Sequence, residues 1–431
     1  MATTYRKAGA GDREALLDLI ARGFAVDSQG ALDLREGEEH RILFSYLYSL
    51  PGWDPGRVFV AEEAGQLLAA VGFFPQVLSL DRADIPVWAI SPVVTAPEAR
   101  SRGLAGHCLN LGMEEVRQQG IPAAFLWGIP DFYPRFGFVP VLPRYRTRLA
   151  LAAARVGDKD GRERNGRGRL REYKVSDLLR IGELYSGTNR SFWLQPLRTA
   201  EWWRDRLAEL DIEAGVLREV PFPERRNFLV WEKNDGSVAG YLYYKEEIRR
   251  ERIIITEAVA SSPGDASAML QQLVTKIVAK TEDASQLNQV VIQGTPLHLL
   301  NSAAYRMGGT HLDPAPRFGM LKILDWDAFL AMLGPVLRER LDPWPLSGAS
   351  GGASIGFEPD GALLQMERSP ERLTFHFAKP PQSAATLQLL TRLFLGFYDL
   401  EDLSLIQCDP ALRQRLFPAK YPFIWDANYL Y

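Results

Sequence analysis

The sequence has little cysteine, little net charge and no long apolar run. Only two cysteines, Cys108 and Cys408, occur in 431 residues, which excludes a disulfide framework or a cysteine-rich zinc site and fits a reducing compartment. Fifty Lys and Arg stand against 53 Asp and Glu, a net charge of −3 that gives no reason to expect nucleic acid or an anionic membrane as a partner. No apolar leader and no run of about 18 apolar residues is present. We therefore expect a soluble, cytoplasmic protein.

The composition is that of a globular protein, with 46% hydrophobic and 24% charged residues, and the length suits about three domains. Residues 155–171 hold seven basic residues, three acidic residues and four glycines, and predict a solvated linker. A basic nucleic-acid patch is the less favoured alternative, because no aromatic residues are interleaved. Residues 347–356 are small and Gly-rich and predict a loop. The predicted domains are 1–150, 151–325 and 326–431.

The first segment has the mixed hydrophobic periodicity of an α+β domain. Asp12 is a candidate N-cap for an amphipathic helix over 15–24. Gly120 is a candidate C-cap for a helix over 104–118. The other predicted elements are a helix at about 39–50, a hairpin over 58–77, strands over 78–80, 87–95 and 125–127, and a short helix over 132–136.

The second segment repeats this order at an offset of about 165–170 residues, which favours two copies of one fold. A chance similarity between two α+β domains is the alternative. The predicted elements of this segment are strands over 228–231, 238–244, 253–260 and 290–293, and helices over 266–280 and 297–307. Those of the third segment are helices over 326–333 and 384–397 and strands over 362–366 and 373–377.

Candidate chemistry lies in residues 93–106 (VVTAPEARSRGLAG), a strand followed by a Gly/Arg-rich turn and the start of a helix. The first N–H groups of a helix lack internal partners and carry partial positive charge, so this geometry suits phosphate. Gly103 allows close approach of the backbone to a diphosphate, and Arg100 and Arg102 add charge. The spacing Arg-x-x-Gly-x-Ala is neither a Walker loop nor a Gly-x-Gly-x-x-Gly fingerprint, so alone it is weak evidence.

Further along comes Phe132-Tyr133-Pro134-Arg135-Phe136-Gly137-Phe138. Together the two motifs resemble the GNAT superfamily of acetyl-CoA-dependent N-acetyltransferases. The resemblance implies that Val93, Val94 and Thr95 offer backbone N–H groups to the cofactor and the thioester carbonyl. It implies that Tyr133 protonates the departing sulfur, although an ordinary half-buried aromatic is the alternative. The residues implied to contact the CoA diphosphate are Arg100, Ser101, Arg102, Gly103, Leu104 and Ala105.

The whole chain is similar to a narrower group, the Eis (enhanced intracellular survival) acetyltransferases. That resemblance implies an α+β fold of tandem GNAT domains, each a mixed sheet with flanking helices, plus a C-terminal sterol carrier protein-like domain. In the second copy, residues 262–267 (SPGDAS) occupy the position of the CoA motif. They contain an acidic residue and no arginine, so we expect that the second copy does not bind CoA. The resemblance also implies a homo-hexamer, transfer without a metal, and the terminal carboxylate of Tyr431 as the base.

The acceptor is expected to bind at the first two helices. The candidate residues are Phe24, Asp27, Glu36 and Glu39, among further acidic and aromatic residues. Carboxylates beside aromatic rings suit a cationic amine, but a solvated helix face explains the same acids equally well. We expect a primary amine that is aminoglycoside-, polyamine- or lysine-like, on a small molecule or a peptide. The alternatives are a hydrophobic-ligand-binding protein and an oligomeric scaffold, each with vestigial acetyl transfer.

Overall fold

The computed structural model describes residues 2–26, 30–49, 53–128, 131–151, 168–189, 194–205, 224–247, 252–279, 287–342, 352–368 and 373–420. The fold is α+β, with one large mixed sheet, one small sheet and helices that flank them. The strands are β1 Thr4–Lys7, β2 Val58–Glu63, β3 Gln66–Leu80, β4 Ala83–Thr95, β5 Ala123–Trp127, β6 Val139–Ala150, β7 Gly168–Glu172, β8 Gln195–Pro196, β9 Glu224–Lys233, β10 Val238–Glu247, β11 Arg252–Ala260, β12 Gln289–Gln293, β13 Thr310–Ile323, β14 Gly352–Phe357, β15 Ala362–Arg368, β16 Leu373–Lys379 and β17 Ile406–Gln407. The helices are α1 Arg13–Phe24, α2 Leu34–Leu47, α3 Leu104–Gln118, α4 Leu178–Asn189, α5 Pro263–Ala279, α6 Leu299–Arg306, α7 Trp326–Leu341, α8 Ala384–Phe394, α9 Leu400–Ser404 and α10 Pro410–Leu416.

The large sheet runs β1-β2-β3-β4-β5-β13-β6-β12-β11-β10-β9-β7, and β8 pairs with β3. Its two halves repeat one pattern, in which an antiparallel hairpin leads to a third strand that pairs in parallel with a strand beyond a helix. In the first half the parallel pair is β4–β5, and in the second half it is β11–β12. This repeated order matches the one that the sequence pattern predicts.

Two strands cross between the halves, which the sequence did not predict. β6 of the first half pairs with β12 of the second, as in Thr147 opposite Ile292. β13 of the second half lies between β5 and β6, where Leu321 faces Phe125 on one side and Val139 on the other. Because both crossings are backbone ladders, the halves are joined by main-chain hydrogen bonds as well as by side-chain packing.

Alternate residues of β5 face the two sides of the sheet, which we name the α1 face and the α3 face. Phe125 on the α1 face is buried in a core with Phe329 of α7 and Leu390 of α8. Leu126 on the α3 face is buried in a core with Leu109 of α3. The third segment therefore packs on the α1 face, on the side of the sheet opposite to α3.

Two stretches predicted as linker or loop are strands where the structure describes them. Residues 168–172 form β7, in which Arg171 bonds Glu232 at 2.5 Å and Asp177 at 2.7 Å. Residues 352–357 form β14, in which Ile355 is fully buried. Their partners lie far away in the sequence, so composition alone could not identify either strand. The rest of both predicted stretches lies outside the described residues.

The predicted helix at 39–50 begins earlier, at Leu34. The Asp33 carboxylate accepts hydrogen bonds from the N–H groups of Arg35 and Glu36, which fixes the start of α2. The predicted strand at 78–80 is continuous with the hairpin strand, as β3. The helix over 104–118 is confirmed, and Gly120 follows it with a φ of +73°.

Among the helices in the described ranges, none has both the length and the apolar content required to cross a bilayer.

Candidate functional site

The first feature of the site is a gap in the sheet between β4 and β5. Their pairing ends at Ala89 opposite Phe125, although β4 continues to Thr95. The register between β3 and β4 shifts where Val71 faces Val93 and Phe73 faces Ile90, so β4 carries an extra residue there. Such a bulge bends a strand away from its neighbour. Residues 90–95 consequently present an edge that is paired on the β3 side but has no strand partner on the β5 side in the described parts of the chain.

The three predicted donor residues lie on this stretch. The N–H group of Ala96 bonds the carbonyl of Leu68 on β3, so by strand alternation the N–H groups of Val93 and Thr95 face the free side and that of Val94 faces β3. Val94 is buried, while Val93 and Thr95 are half-buried. Val94 packs against α1, where a Cβ on Gly23 would lie 2.2 Å from Val94 Cγ2. The edge is thereby fixed from the α1 face.

The second feature is the loop that leads from β4 into α3. Ser101 and Gly103 have φ values of +64° and +77°, and Gly103 is the N-cap residue without any side-chain cap. Apart from the two chain neighbours of Gly103, no residue that the structure describes has an atom within 4 Å of the position that a Cβ on Gly103 would occupy. Leu104 and Ala105 are buried, which anchors the first turn of α3. The start of α3 is thus an open, uncapped cluster of N–H donors of the kind that binds an anion.

The two arginines of the loop have different partners. Arg100 donates from Nη2 to the carbonyls of Gly23 at 2.8 Å and Val26 at 2.6 Å, so its guanidinium holds the end of α1. Arg102 forms an ion pair with Glu63 at the end of β2 and is partly exposed. The Arg102 guanidinium holds the pKa of the Glu63 carboxyl below its usual range. Of the two, Arg102 is the one placed to turn toward an anion at the start of α3.

We expect Glu63→Gln to strengthen binding of a diphosphate ligand at the start of α3 about twofold to fivefold, because an exposed ion pair is weak and its loss leaves Arg102 without a competing carboxylate. The substitution removes a competing carboxylate and releases Arg102. Titration calorimetry with CoA measures the change. Glu62→Gln is the matched control, since Glu62 pairs with Arg6 and not with the loop. Equal affinity in the Glu63→Gln variant and the wild type would contradict this role of Glu63.

The third feature is the 3-10 turn Tyr133–Phe136, which carries Tyr133. Tyr133 is buried, and its ring makes edge contacts with Phe132 and Phe138. Burial raises the pKa of Tyr133 to about 12, so the hydroxyl is protonated at neutral pH. Among the described residues the hydroxyl has no hydrogen-bond partner. It is a proton donor that the fold itself does not use.

Two glycines that the sequence did not single out for this purpose place the turn. A Cβ on Gly128, just after β5, would lie 2.1 Å from Tyr133 Cε2, so only glycine leaves room for the ring. A Cβ on Gly106 in α3 would lie 2.8 Å from Phe136 Cζ. The turn therefore packs directly between the end of β5 and the first turns of α3, beside the loop that leads from β4 into α3.

The predicted acceptor residues are only partly described. Phe24 stacks on His40 with ring centroids 4.0 Å apart. Glu36 is exposed on the first turn of α2, and Glu39 is half-buried. Asp27 and Tyr431 lie outside the described residues. The structure therefore brings Phe24 and α2 to one place, beside the end of α1 that Arg100 holds.

The second half closes the corresponding positions with its own side chains. α5 starts at Pro263, three residues after β11, so the loop present in the first half is missing. The buried Asp265 carboxylate accepts hydrogen bonds from Ser262 Oγ at 2.6 Å and Trp231 Nε1 at 3.0 Å. His298 Nε2 bonds the carbonyl of Ala258 on β11 at 3.0 Å. Burial lowers the pKa of His298 to about 4, so the ring is neutral and fills the gap beside β11.

Metal ligation has no candidate in the described ranges, since no group of three or more His, Cys, Asp or Glu side chains is placed to hold an ion. Cys108 on α3 is fully buried, and burial raises the pKa of its thiol to about 12. A thiol in that state is a poor nucleophile.

Comparison with known proteins identifies residues 4–141 as an acetyltransferase (GNAT) domain. An uncharacterized N-acetyltransferase of Streptomyces griseus is 27% identical over 201 residues, which cover 45% of this chain and 46% of that protein. The chain therefore spans less than half the length of this relative.

Solved structures share the fold over nearly the whole chain. A GCN5-related N-acetyltransferase from Anabaena variabilis has a TM-score of 0.67 at 15% identity and covers 98% of this chain and 99% of its own. Eis1 from Mycobacterium abscessus has a TM-score of 0.56 at 16% identity, and the match covers 98% of this chain and 97% of Eis1.

Proposed function

We propose that this protein, whose residues 4–141 form an acetyltransferase domain of the GNAT type, is an acetyl-CoA-dependent N-acetyltransferase that acts on a primary amine. The observation that carries the proposal is that three features lie next to one another in the first half of the chain. They are the unpaired edge of β4, the uncapped start of α3 and the protonated hydroxyl of Tyr133. Together they supply backbone donors, a diphosphate site and a proton donor.

The donor substrate fits the residues that are present. Its diphosphate would take the N–H groups of Leu104 and Ala105 beside Gly103, where a ligand has open space, with Arg102 turned from Glu63 and Ser101 beside it. The amides of its pantetheine arm would pair with the free edge of Val93, Val94 and Thr95 in place of a strand. Arg100 would contact the donor substrate through its backbone only, because its guanidinium is hydrogen-bonded to the carbonyls of Gly23 and Val26 at the end of α1.

In the proposed reaction the neutral amine attacks the thioester carbonyl carbon, a C–N bond forms and the C–S bond breaks. Backbone N–H groups of β4 stabilise the oxyanion that develops on the carbonyl oxygen. Tyr133 donates to the sulfur as it leaves, and the amine gives up one proton to a base. The overall products are the amide and free CoA, with no change in oxidation state.

The proposed base is the α-carboxylate of Tyr431. Lys420 is the last residue described before it. Its backbone N–H donates to the carbonyl of Gly396, and its Nζ lies 3.9 Å from Oδ1 of Asp81, in the turn between β3 and β4. Eleven further residues span at most about 37 Å. From Asp81 to Ala89, where the gap opens, β4 covers about 27 Å. The eleven residues after Lys420 are thus enough chain to cover this distance, and a carboxylate on Tyr431 could accept the proton or hold the ammonium form.

We expect removal of Tyr431 to lower turnover at least about tenfold, with acetyl-CoA affinity unchanged. A new carboxylate one residue earlier would lie about 3.4 Å short of its place. Steady-state kinetics of the truncated chain measures the loss of turnover, and a separate measurement of CoA affinity checks that binding is unchanged. Tyr431→Phe is the control, because it keeps the carboxylate and removes only the phenol oxygen. Unchanged turnover after truncation would rule out the terminal carboxylate as the base.

The acceptor would approach along α1 and α2. Phe24 stacked on His40 offers an aromatic surface, and Glu36, Glu39 and Asp27 offer carboxylates for an ammonium group. Aminoglycoside-, polyamine- and lysine-like amines, free or on a peptide, share this chemistry.

We further propose an Eis-like organisation in three parts, 1–150, 151–325 and 326–431. The last would be a sterol carrier protein-like domain that helps to form the acceptor side, and the assembly a cytoplasmic hexamer. Support comes from the fold shared with Eis1 and from the small antiparallel sheet β16-β15-β14-β17 packed with α7 and α8. The closed positions in the second half support a single CoA site per chain, in the first half.

The direct experiment measures CoA release from acetyl-CoA with a thiol-reactive dye. The acceptor panel contains polyamines, aminoglycosides, lysine peptides and arylamines. Turnover with any amine supports the proposal and defines the acceptor class. CoA binding without turnover across the panel would contradict it and favour the scaffold alternative.

A further inference from the structure

One half-buried cation of the second half lies beside the turn that carries Tyr133. Lys322 is on β13, opposite Ala124 of β5, and its side chain points to the α3 face. Its Nζ donates a hydrogen bond of 2.8 Å to the carbonyl of Phe136. Burial lowers the pKa of Lys322, which shows that the ammonium group has lost part of its hydration. A half-buried charge is costly, so its placement against one carbonyl calls for an explanation.

Phe136 is the last residue of the 3-10 turn, and Gly137 follows it with a φ of +83°. A Cβ on Gly137 would lie 3.3 Å from Lys322 Cε. The lysine stem therefore packs along the point where the chain leaves the turn, and its charge sits at the carbonyl end, where a cation stabilises helical geometry.

The turn is consequently fixed from three sides. Gly128 receives the ring of Tyr133, and Gly106 receives the ring of Phe136. Those two contacts come from the first half, whereas the hydrogen bond from Lys322 comes from the second half. Met320, two residues before Lys322 on the same face of β13, is fully buried in the same core as Tyr133.

We propose that Lys322 is a positioning residue for Tyr133, supplied by the second half of the chain through the strand β13. It acts through the carbonyl of Phe136 and does not touch the reacting atoms. This inference rests on the proposed function, in which Tyr133 donates to the departing sulfur. The second half, in which the Asp265 carboxylate occupies the position that corresponds to the start of α3, would thus contribute a residue to the site in the first half.

The test compares Lys322→Met and Lys322→Arg in the full-length protein by steady-state CoA release. We expect Lys322→Met to lower kcat about fivefold, with the KM for acetyl-CoA within about twofold, because a small displacement of a reacting group slows the chemical step more than it weakens binding. Lys322→Arg should restore most of kcat, since it keeps a cationic donor. Lys379→Met is the matched control, because Lys379 also donates to a backbone carbonyl, that of Asp360 in the third segment.

The double variant Tyr133→Phe/Lys322→Met separates positioning from a general structural role. If Lys322 acts through Tyr133, the lysine substitution costs little further kcat once the hydroxyl is gone. Independent, multiplicative losses would overturn the proposal, as would a normal kcat in Lys322→Met. Lys322→Gln replaces the methionine variant if that variant misfolds, and the same comparison applies.

The outcomes also separate the two proposals. Slow turnover in Tyr133→Phe with a normal Lys322→Met variant would overturn only the role of Lys322. Normal turnover in Tyr133→Phe would overturn the acid role of Tyr133 and, with it, the positioning role.

Discussion

Replacing Tyr133 by phenylalanine is expected to lower kcat at least about 100-fold, with the KM for acetyl-CoA within about twofold. The ring keeps its place, because its contacts with Gly128, Phe132 and Phe138 involve only ring atoms. The change therefore removes one proton donor and little else. In the proposed mechanism the hydroxyl acts on the departing sulfur, so we expect the loss to fall on the transition state and not on the bound substrate.

The pH dependence follows from the same hydroxyl. A tyrosine whose pKa is raised to about 12 remains protonated until the pH rises through that value. It therefore contributes no limb to a rate profile between about pH 6 and 10. A limb that rises with pH is expected from the acceptor amine, which is neutral only near or above its own pKa, about 10.4 for a lysine-like amine. Tyr133→Phe should lower the whole profile without changing its shape.

CoA release measured across this pH range checks both expectations. Tyr398→Phe is the control, since Tyr398 donates to the carbonyl of Phe417 in the third segment and has no part in the proposed reaction. A Tyr133→Phe variant within about threefold of wild-type kcat would show that the sulfur receives its proton from another group.

The part of the site that could be predicted from the sequence is the part built from neighbours in the chain. The strand, turn and helix around Arg102 and Gly103 follow one another, so their local geometry is determined by local residue types. The roles of Gly128 and Lys322 could not be predicted, because they depend on side-chain contacts with the turn at Tyr133. Lys322 is almost two hundred residues away from Tyr133 in the sequence. Arg100 shows the same limit, because its partners at the end of α1 precede it by more than seventy residues.

The fold shows a similar division. Helix α3 and the hairpin of β2 and β3 have strong local periodicity and were predicted correctly. β7 and β14 were predicted as linker and loop, because arginines and small residues have low strand propensity until distant partners satisfy them. The crossing of β6 and β13 between the halves could not be predicted from local patterns, because each of these strands pairs with a partner far away in the sequence.

The largest expected effect on stability is at a buried ion pair in the second half. The guanidinium of Arg198 donates two hydrogen bonds, of 2.7 and 2.6 Å, to Glu257, and the two side chains are 1% and 2% exposed. Tyr241 donates a further bond of 2.7 Å to the same carboxylate. Arg198 follows β8, which pairs with β3 of the first half. The Arg198–Glu257 ion pair therefore links a segment attached to the first half with the core of the second half.

Arg198→Met is expected to lower the free energy of unfolding by about 3–5 kcal/mol, because it leaves the Glu257 carboxylate buried without its cation. The double variant Arg198→Met/Glu257→Leu should recover most of this loss, since no charge is then left unpaired. Urea denaturation followed by tryptophan fluorescence is suited to the test, because the ring centroids of Trp202 and Trp203 lie 4.0 and 4.7 Å from Cζ of Arg198.

Arg117→Met is the control, since the Arg117–Glu114 pair is about half exposed and should contribute little to stability. A loss in Arg198→Met no larger than in this control would show that the buried pair does not stabilise the second half. A loss that the double variant fails to recover would place the energy in the packing of the guanidinium against Tyr185, Trp202 and Trp203, and not in its charge. The two variants together therefore distinguish an electrostatic tie between the halves from an aromatic one.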